Sequence, residues 1–138
     1  MFEAVLFDLD GTLIQFAMSY ADFMKEMAAR WGIHDDADPF FEHYALAIRS
    51  NGAVTFQSSI SAALEATGRT LPSDMSDQCS AAVEGYAMGI ELLPHAHDLL
   101  GRYAQYPKAI MSNGPADMQR AALRKTGLEP YFDQILIS

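Results

Sequence analysis

Cysteine is almost missing from this chain. Cys79 stands alone, which excludes an internal disulfide framework and leaves it as a small apolar core residue. A single thiol also suits a reducing compartment, so a cytoplasmic location is expected. Basic residues are scarce as well. Nine Lys and Arg face 18 Asp and Glu, a formal net charge of -9. Such a surface repels nucleic acid and anionic membranes, and neither is expected as a partner. An anionic substrate is not excluded, because a bound cation can reverse the field at one site. Long apolar runs are lacking too. No stretch approaches the ~20 residues that a membrane-spanning helix needs. The first residues lack the basic region of a signal peptide and start directly on a strand pattern. There is no internal repeat and no low-complexity tract. What remains is a chain of 138 residues, 50% of them hydrophobic, enough for one globular domain with a real core.

Patterning divides the chain into three parts. Phe2 to Leu9 is β-rich and nearly continuously apolar, as in a strand of a parallel sheet buried on both faces. Gly11 breaks it. Phe16, Tyr20, Phe23, Met24, Met27 and Trp31 then recur at helical spacing, with Gly32 as a stop. Asp38-Pro39 reads as an N-cap and first helical residue, followed by Phe40, Tyr44 and Ile48, and Asn51-Gly52 ends that segment. Thr55 is placed to cap a third helix that stops before Gly68. Ser73 or Asp74 starts a fourth, with Met75, Cys79, Val83 and Tyr86 along its stripe. Pro94 opens a helix over roughly 95–104. The closing part is a strand at Lys108–Ser112, a helix from Pro115 to Thr126 with Gly127 past its end, and a strand at 134–138. That strand-helix-strand unit implies a parallel sheet. The expected fold is therefore α/β, with a Rossmann-like parallel core of about three strands at 1–14 and 91–138. Residues 15–90 are too long for a crossover and are expected to form an inserted helical subdomain.

Ligands of open parallel sheets bind outside the carboxyl ends of the strands. Asp8 and Asp10 lie at the end of the first strand, and Ser112, Asn113 and Gly114 at the end of the second. If those strands are neighbours, all five residues meet in one crevice. Ser112 offers a hydroxyl, and Asn113 and Gly114 offer backbone N–H groups at a helix N-terminus, where anions are favoured. Two carboxyls beside an anion site suit phosphoryl transfer. One carboxylate attacks phosphorus to give an acyl-phosphate. The other protonates the leaving alkoxide and later activates water. Two anions need a counter-charge to approach each other, and Mg²⁺ is the expected cation.

The stretch "FDLDGTL" resembles the first motif of the haloacid dehalogenase superfamily, and "IMSNG" resembles its second. "KTGLEPYFDQILIS" is similar to the stretch that follows in members whose helical cap lies between those two motifs. The resemblance implies that Asp8 is the nucleophile and a metal ligand. It implies that Asp10 is the general acid/base, with its backbone carbonyl on Mg²⁺. Ser112, helped by Asn113 and Gly114, would bind the phosphate of a small phosphorylated metabolite, and Thr12 would support the turn and join them in substrate binding. Residues 15–90 would close over the substrate.

Asp10 separates two branches of that superfamily. Haloacid dehalogenases share "SNG" but usually carry a non-acidic residue, often tyrosine, in its place, because halide needs no general acid. A Mg²⁺-dependent phosphatase is therefore the first expectation and a 2-haloacid dehalogenase the second. The inserted segment also offers no good equivalent of the arginine that holds a haloacid carboxylate, Arg49 being a weak candidate. A catalytically inactive binding module is the third. It is raised because the family's third motif, a lysine, and its fourth, an acidic cluster, are not found before Ser138. Lys125 sits in the wrong place to replace that lysine. The chain is accordingly expected to be a shortened, impaired version of a longer protein. The free edge of the first strand is expected to pair in a homodimer. His95 and His97 lie two apart at a helix start and point in different directions, so they are read as surface or N-terminal helix positions and not as a metal pair.

Overall fold

The computed structural model describes residues 4–50 and 54–137, with side chains at all of these but Ser50. Strand β1 (Val5–Asp8) pairs in parallel with β4 (Lys108–Ser112), which pairs in parallel with β5 (Gln134–Ile137). The three carboxyl ends therefore lie along one edge. Helix α6 (Ala116–Thr126) and a 3₁₀ turn (Glu129–Tyr131) connect β4 to β5. This is the expected βαβ unit, and β1 is the expected neighbour of β4.

One sheet face is closed and the other is open. Phe7 and Ile110, paired in register, are buried on the inner face. Phe7 meets Tyr103 and Phe132 edge to face, each with ring centroids 6.0 Å away. Each fully buried side chain of this size contributes about 1.5–3 kcal/mol. On the opposite face Leu6, Met111 and Leu136 remain 55%, 46% and 45% exposed. Asp8 shares that face, in register with Met111, because side chains alternate along a strand.

Four helices intervene between β1 and β4: α1 (Tyr20–Ala29), α2 (Pro39–Ser50), α3 (Phe56–Ala66) and α4 (Met75–Met88). Their ends follow local chemistry. The Ser19 hydroxyl accepts from the Asp22 N–H to start α1. An Asp38 carboxylate oxygen accepts from Phe40 N–H at the start of α2, and Arg69 holds both carboxylate oxygens of Asp38. Thr55 and Ser58 form a reciprocal capping box at α3. Phe40, Phe56, Ile60 and Leu64 are fully buried between these helices.

The structure departs from the sequence pattern at several places. Residues 15–90 are not helical throughout. β2 (Ile14–Phe16) and β3 (Ile90–Leu92) form an antiparallel two-stranded ribbon, through which the chain enters and leaves the helices. Phe16 is therefore a strand residue and not the first member of a helical stripe. Three-residue strands are too short for alternation to register. Trp31 also lies beyond α1. It is held by a 2.7 Å hydrogen bond from Nε1 to Gln78 Oε1. The helix α5 spans Ala96–Arg102, shorter than the pattern implies. The expectations placed on Phe2 and on Asn51-Gly52 fall outside the described residues.

The helices are tied to the sheet through α6. Asp117 Oδ1 accepts from the N–H of Phe56, 2.9 Å away, at the positive end of α3. The Ala116 N–H donates to the Val54 carbonyl, and Lys125 Nζ to the Ile90 carbonyl of the ribbon. Among the described residues, no helix is long and apolar enough to cross a membrane.

Candidate active site

Asp8 closes β1 and Ser112 closes β4, at the same edge of the sheet. The Leu9 N–H donates to Asp8 Oδ1 at 3.0 Å, which orients the carboxylate. The chain then folds into a tight turn. Leu9 is fully buried and anchors it, its carbonyl accepting from the Leu13 and Ile14 N–H groups. Gly11 takes a φ of 77°, a conformation that side chains disfavour, and donates to the Ile14 carbonyl. Thr12 contributes its carbonyl, which lies 3.0 Å from His95 Nε2. A carbonyl only accepts, so that contact requires the proton on Nε2. His95 thus braces the turn from outside, in keeping with a structural reading of this histidine.

A cavity of about 770 Å³ lies between this turn, the start of α6 and the inserted helices. Asp10, Asn113 and Gly114 all line it. Asp8, Thr12 and Ser112 are not in its lining. Asp8 is exposed beside it, on the open sheet face. The Ser112 Oγ is buried and has no hydrogen-bond partner among the described residues. A buried hydroxyl left in this way costs about 1–3 kcal/mol, so Ser112 is a polar group short of a partner at the end of β4.

The electrostatics separate the two carboxyls. Desolvation is the main cause that pushes the Asp10 pKa above its usual value, and repulsion from Asp8 adds to it. A hydrogen bond from the Gln119 side chain opposes both. A carboxyl that holds its proton more tightly than usual is suited to donate one. Gln119 is 5% exposed. Its Nε2 also donates to the Asn113 carbonyl at 3.1 Å, and its Oε1 is unpartnered among the described residues. Sequence reading does not find Gln119. Its only signal is an amide next to the apolar Met118/Ala122 stripe of α6.

Other lining residues come from the insertion. Tyr20 and Tyr44 share a 2.5 Å hydroxyl–hydroxyl contact, and Tyr20 lies on the wall together with Tyr86 and Arg49. Burial, with the negative charge of Asp10 among the lesser causes, pushes the Tyr20 hydroxyl up to about 12. Cys79, buried on α4, is likewise pushed up, to about 11, so it is a poor nucleophile.

Among the described residues, no group of three or more His, Cys, Asp or Glu side chains stands close enough to hold a metal ion. Mg²⁺ asks for less. It keeps several waters and takes one or two protein carboxylates together with substrate phosphate oxygens. The hard oxygen donors of Asp8 and Asp10 fit that demand.

Comparison with known proteins places this geometry in a wider group. The chain aligns over 99% of its length with the L-2-haloacid dehalogenase of Xanthobacter autotrophicus, at 27% identity and a TM-score of 0.55, covering 57% of that chain. A predicted phosphoglycolate phosphatase of Haemophilus somnus aligns over 99% of this chain and 62% of its own, at 21% identity and a TM-score of 0.61. A magnesium-bound protein of Bacillus subtilis described as a HAD-hydrolase aligns over 99% and 65%, at 22% identity and a TM-score of 0.58. The chain thus spans 57% to 65% of the length of these three structures. No curated protein matches it. Residues 2–138 match the haloacid dehalogenase-like hydrolase family. With both carboxylates of "FDLDGTL" and "SNG" brought to the ends of adjacent parallel strands, the chain belongs to that family of hydrolases.

Proposed function

We propose that this chain carries the site of a phosphatase that hydrolyses a small phosphate ester through an aspartyl-phosphate on Asp8. The observation that carries this reading is Asp10. It is a carboxyl on the cavity wall, two residues beyond Asp8 and beside the Asn113-Gly114 turn that lines the same cavity. Halide displacement has no use for such a group, whereas an alkoxide leaving group needs one.

In this reading an Asp8 carboxylate oxygen attacks phosphorus and the ester P–O bond breaks. The departing alkoxide takes the proton of Asp10. Asp10, now ionised, takes a proton from water, whose oxygen attacks the phosphorus of the acyl-phosphate. The bond from phosphorus to Asp8 breaks, phosphate leaves, and both carboxyls return to their starting state. Ser112 Oγ and the N–H groups of Asn113 and Gly114 hold the phosphoryl oxygens, and Gln119 holds the Asp10 carboxyl toward the cavity. Mg²⁺ bound by Asp8 and the Asp10 carbonyl would supply the counter-charge that lets carboxylate and phosphate approach. The helices between residues 15 and 90 act as the cover that excludes water from this centre.

A 2-haloacid dehalogenase is the second reading. Two observations favour it: the 27% identity to such an enzyme, and Arg49 on the cavity wall, where it could hold a substrate carboxylate. The two readings part in a paired assay of p-nitrophenyl phosphate hydrolysis and chloride release from 2-chloropropionate. Phosphate release that needs Mg²⁺ and disappears in Asp8→Asn supports the phosphatase. Metal-independent chloride release supports the dehalogenase and overturns the first reading.

A further inference from the structure

The cavity has two unlike ends. Its floor is polar, with Asp10, Asn113, Gly114 and Gln119. Its remaining wall is largely hydrocarbon and aromatic. Ile14 and Phe16 come from the ribbon, Tyr20, Ile48 and Tyr86 from the insertion, and Met118 from α6. The Tyr20 hydroxyl is already engaged by Tyr44 Oη at 2.5 Å and lies 4.0 Å from Met118 Sδ. The polar groups left on that wall are the Tyr86 hydroxyl, Gln15 and Arg49, few for a surface of this extent. A polyhydroxylated sugar would have to surrender several hydrogen bonds to water at such a wall, each costly when unreplaced. A hydrocarbon body gains by leaving water there.

Size points the same way. About 770 Å³ lies within the ~300–1,000 Å³ range of sites that enclose drug-sized ligands. A substrate of two or three carbons would leave most of it unfilled.

Resting on the phosphatase reading above, we infer that the substrate is the phosphate monoester of an aromatic or bulky aliphatic alcohol. Its phosphoryl group sits on the polar floor and its hydrocarbon body lies against Phe16, Ile48, Tyr86 and Met118.

Calorimetric titration of the 138-residue chain in Mg²⁺ with benzylphosphonate, methylphosphonate and sorbitol 6-phosphate tests this without requiring turnover. Benzylphosphonate is expected to bind at least about tenfold tighter than either of the others, the gain from burying one ring. Ile48→Asn is expected to lower the benzyl-to-methyl affinity ratio, and Gln15→Leu to raise it. Two variants with opposite expected signs guard against a fold defect in either. Equal affinities for the three probes, or a preference for sorbitol 6-phosphate, overturn the inference while leaving the phosphoryl site standing. Failure of all three to bind overturns the phosphoryl reading itself, and the inference with it.

Discussion

Gln119 Nε2 donates a 3.1 Å hydrogen bond to the carbonyl of Asn113, and the same side chain stands close enough to the Asp10 carboxyl to lower its pKa. One amide on α6 thus links the loop after β1 to the loop after β4. Replacing it by leucine removes the one contact that lowers the Asp10 pKa, while desolvation and the charge of Asp8 remain. Carbon-detected titration of the carboxyl groups is expected to show Asp10 moving further up in Gln119→Leu. An unchanged or lowered value would contradict this role. The sign for stability follows. The folded state binds the Asp10 proton more tightly than the unfolded chain does. Its contribution is therefore largest below the usual 3.8 and is lost as pH rises through the elevated folded value.

Gly114 is required beside that amide. Its φ is 131°, and an added Cβ would lie 3.0 Å from Gln119 Nε2. Gly114→Ala is expected to lower stability by about 1–3 kcal/mol, from backbone strain together with displacement of the amide. Urea unfolding followed by Trp31 fluorescence measures this. Combining it with Gln119→Ala should recover only the part due to the contact. Full recovery, or no loss in the single variant, would contradict the account of this loop.

Asp38 behaves in the opposite sense to Asp10. Hydrogen bonds from Arg69, with Nη2 to Oδ2 at 2.6 Å, are the main cause holding its carboxyl below the usual 3.8, and the Phe40 N–H adds to them. That contribution is fully present above pH 3.8 and is lost as pH falls through the depressed folded value. The stability difference between the native chain and Asp38→Asn should therefore shrink on acidification from pH 7 to 3. A difference that does not vary with pH would place the role of Asp38 elsewhere.

Among the described residues β1 pairs only with β4, and Leu6 on it is largely exposed. We propose that a second copy of the chain pairs with this edge, since an unpaired apolar strand is a template for another. Sedimentation should show a dimer at micromolar concentration that Leu6→Lys weakens. A monomer at all concentrations would contradict it.

Much of the fold is legible in local sequence. Thr55 signals the start of α3 and Gly127 the end of α6, because capping is decided within a few residues of chain. "KAIMS" announces β4 through its apolar run. "FDLDGTL" and "SNGP" give the strand ends, because apolar strand residues run directly into Asp, Asn, Ser and Gly, which favour turns and helix caps. The ribbon is not legible. Ile14–Phe16 and Ile90–Leu92 are short, and they pair across four intervening helices. Gln119 is not legible for a related reason. Its importance comes from where the α6 helix is docked, at a distance from its sequence neighbours. The apolar wall is hidden in the same way, since Phe16, Ile48, Tyr86 and Met118 come from four separate elements.

In the proposed reaction Asp8 is the group that accepts the phosphoryl group. Beryllofluoride, which bonds to a carboxylate oxygen as a phosphoryl mimic, tests it most directly when added with Mg²⁺ and followed by fluorine NMR. A protein-bound resonance is expected in the native chain, persisting in Asp10→Asn and vanishing in Asp8→Asn. A folded native chain that gives no bound resonance, or one that Asp8→Asn leaves in place, would contradict it.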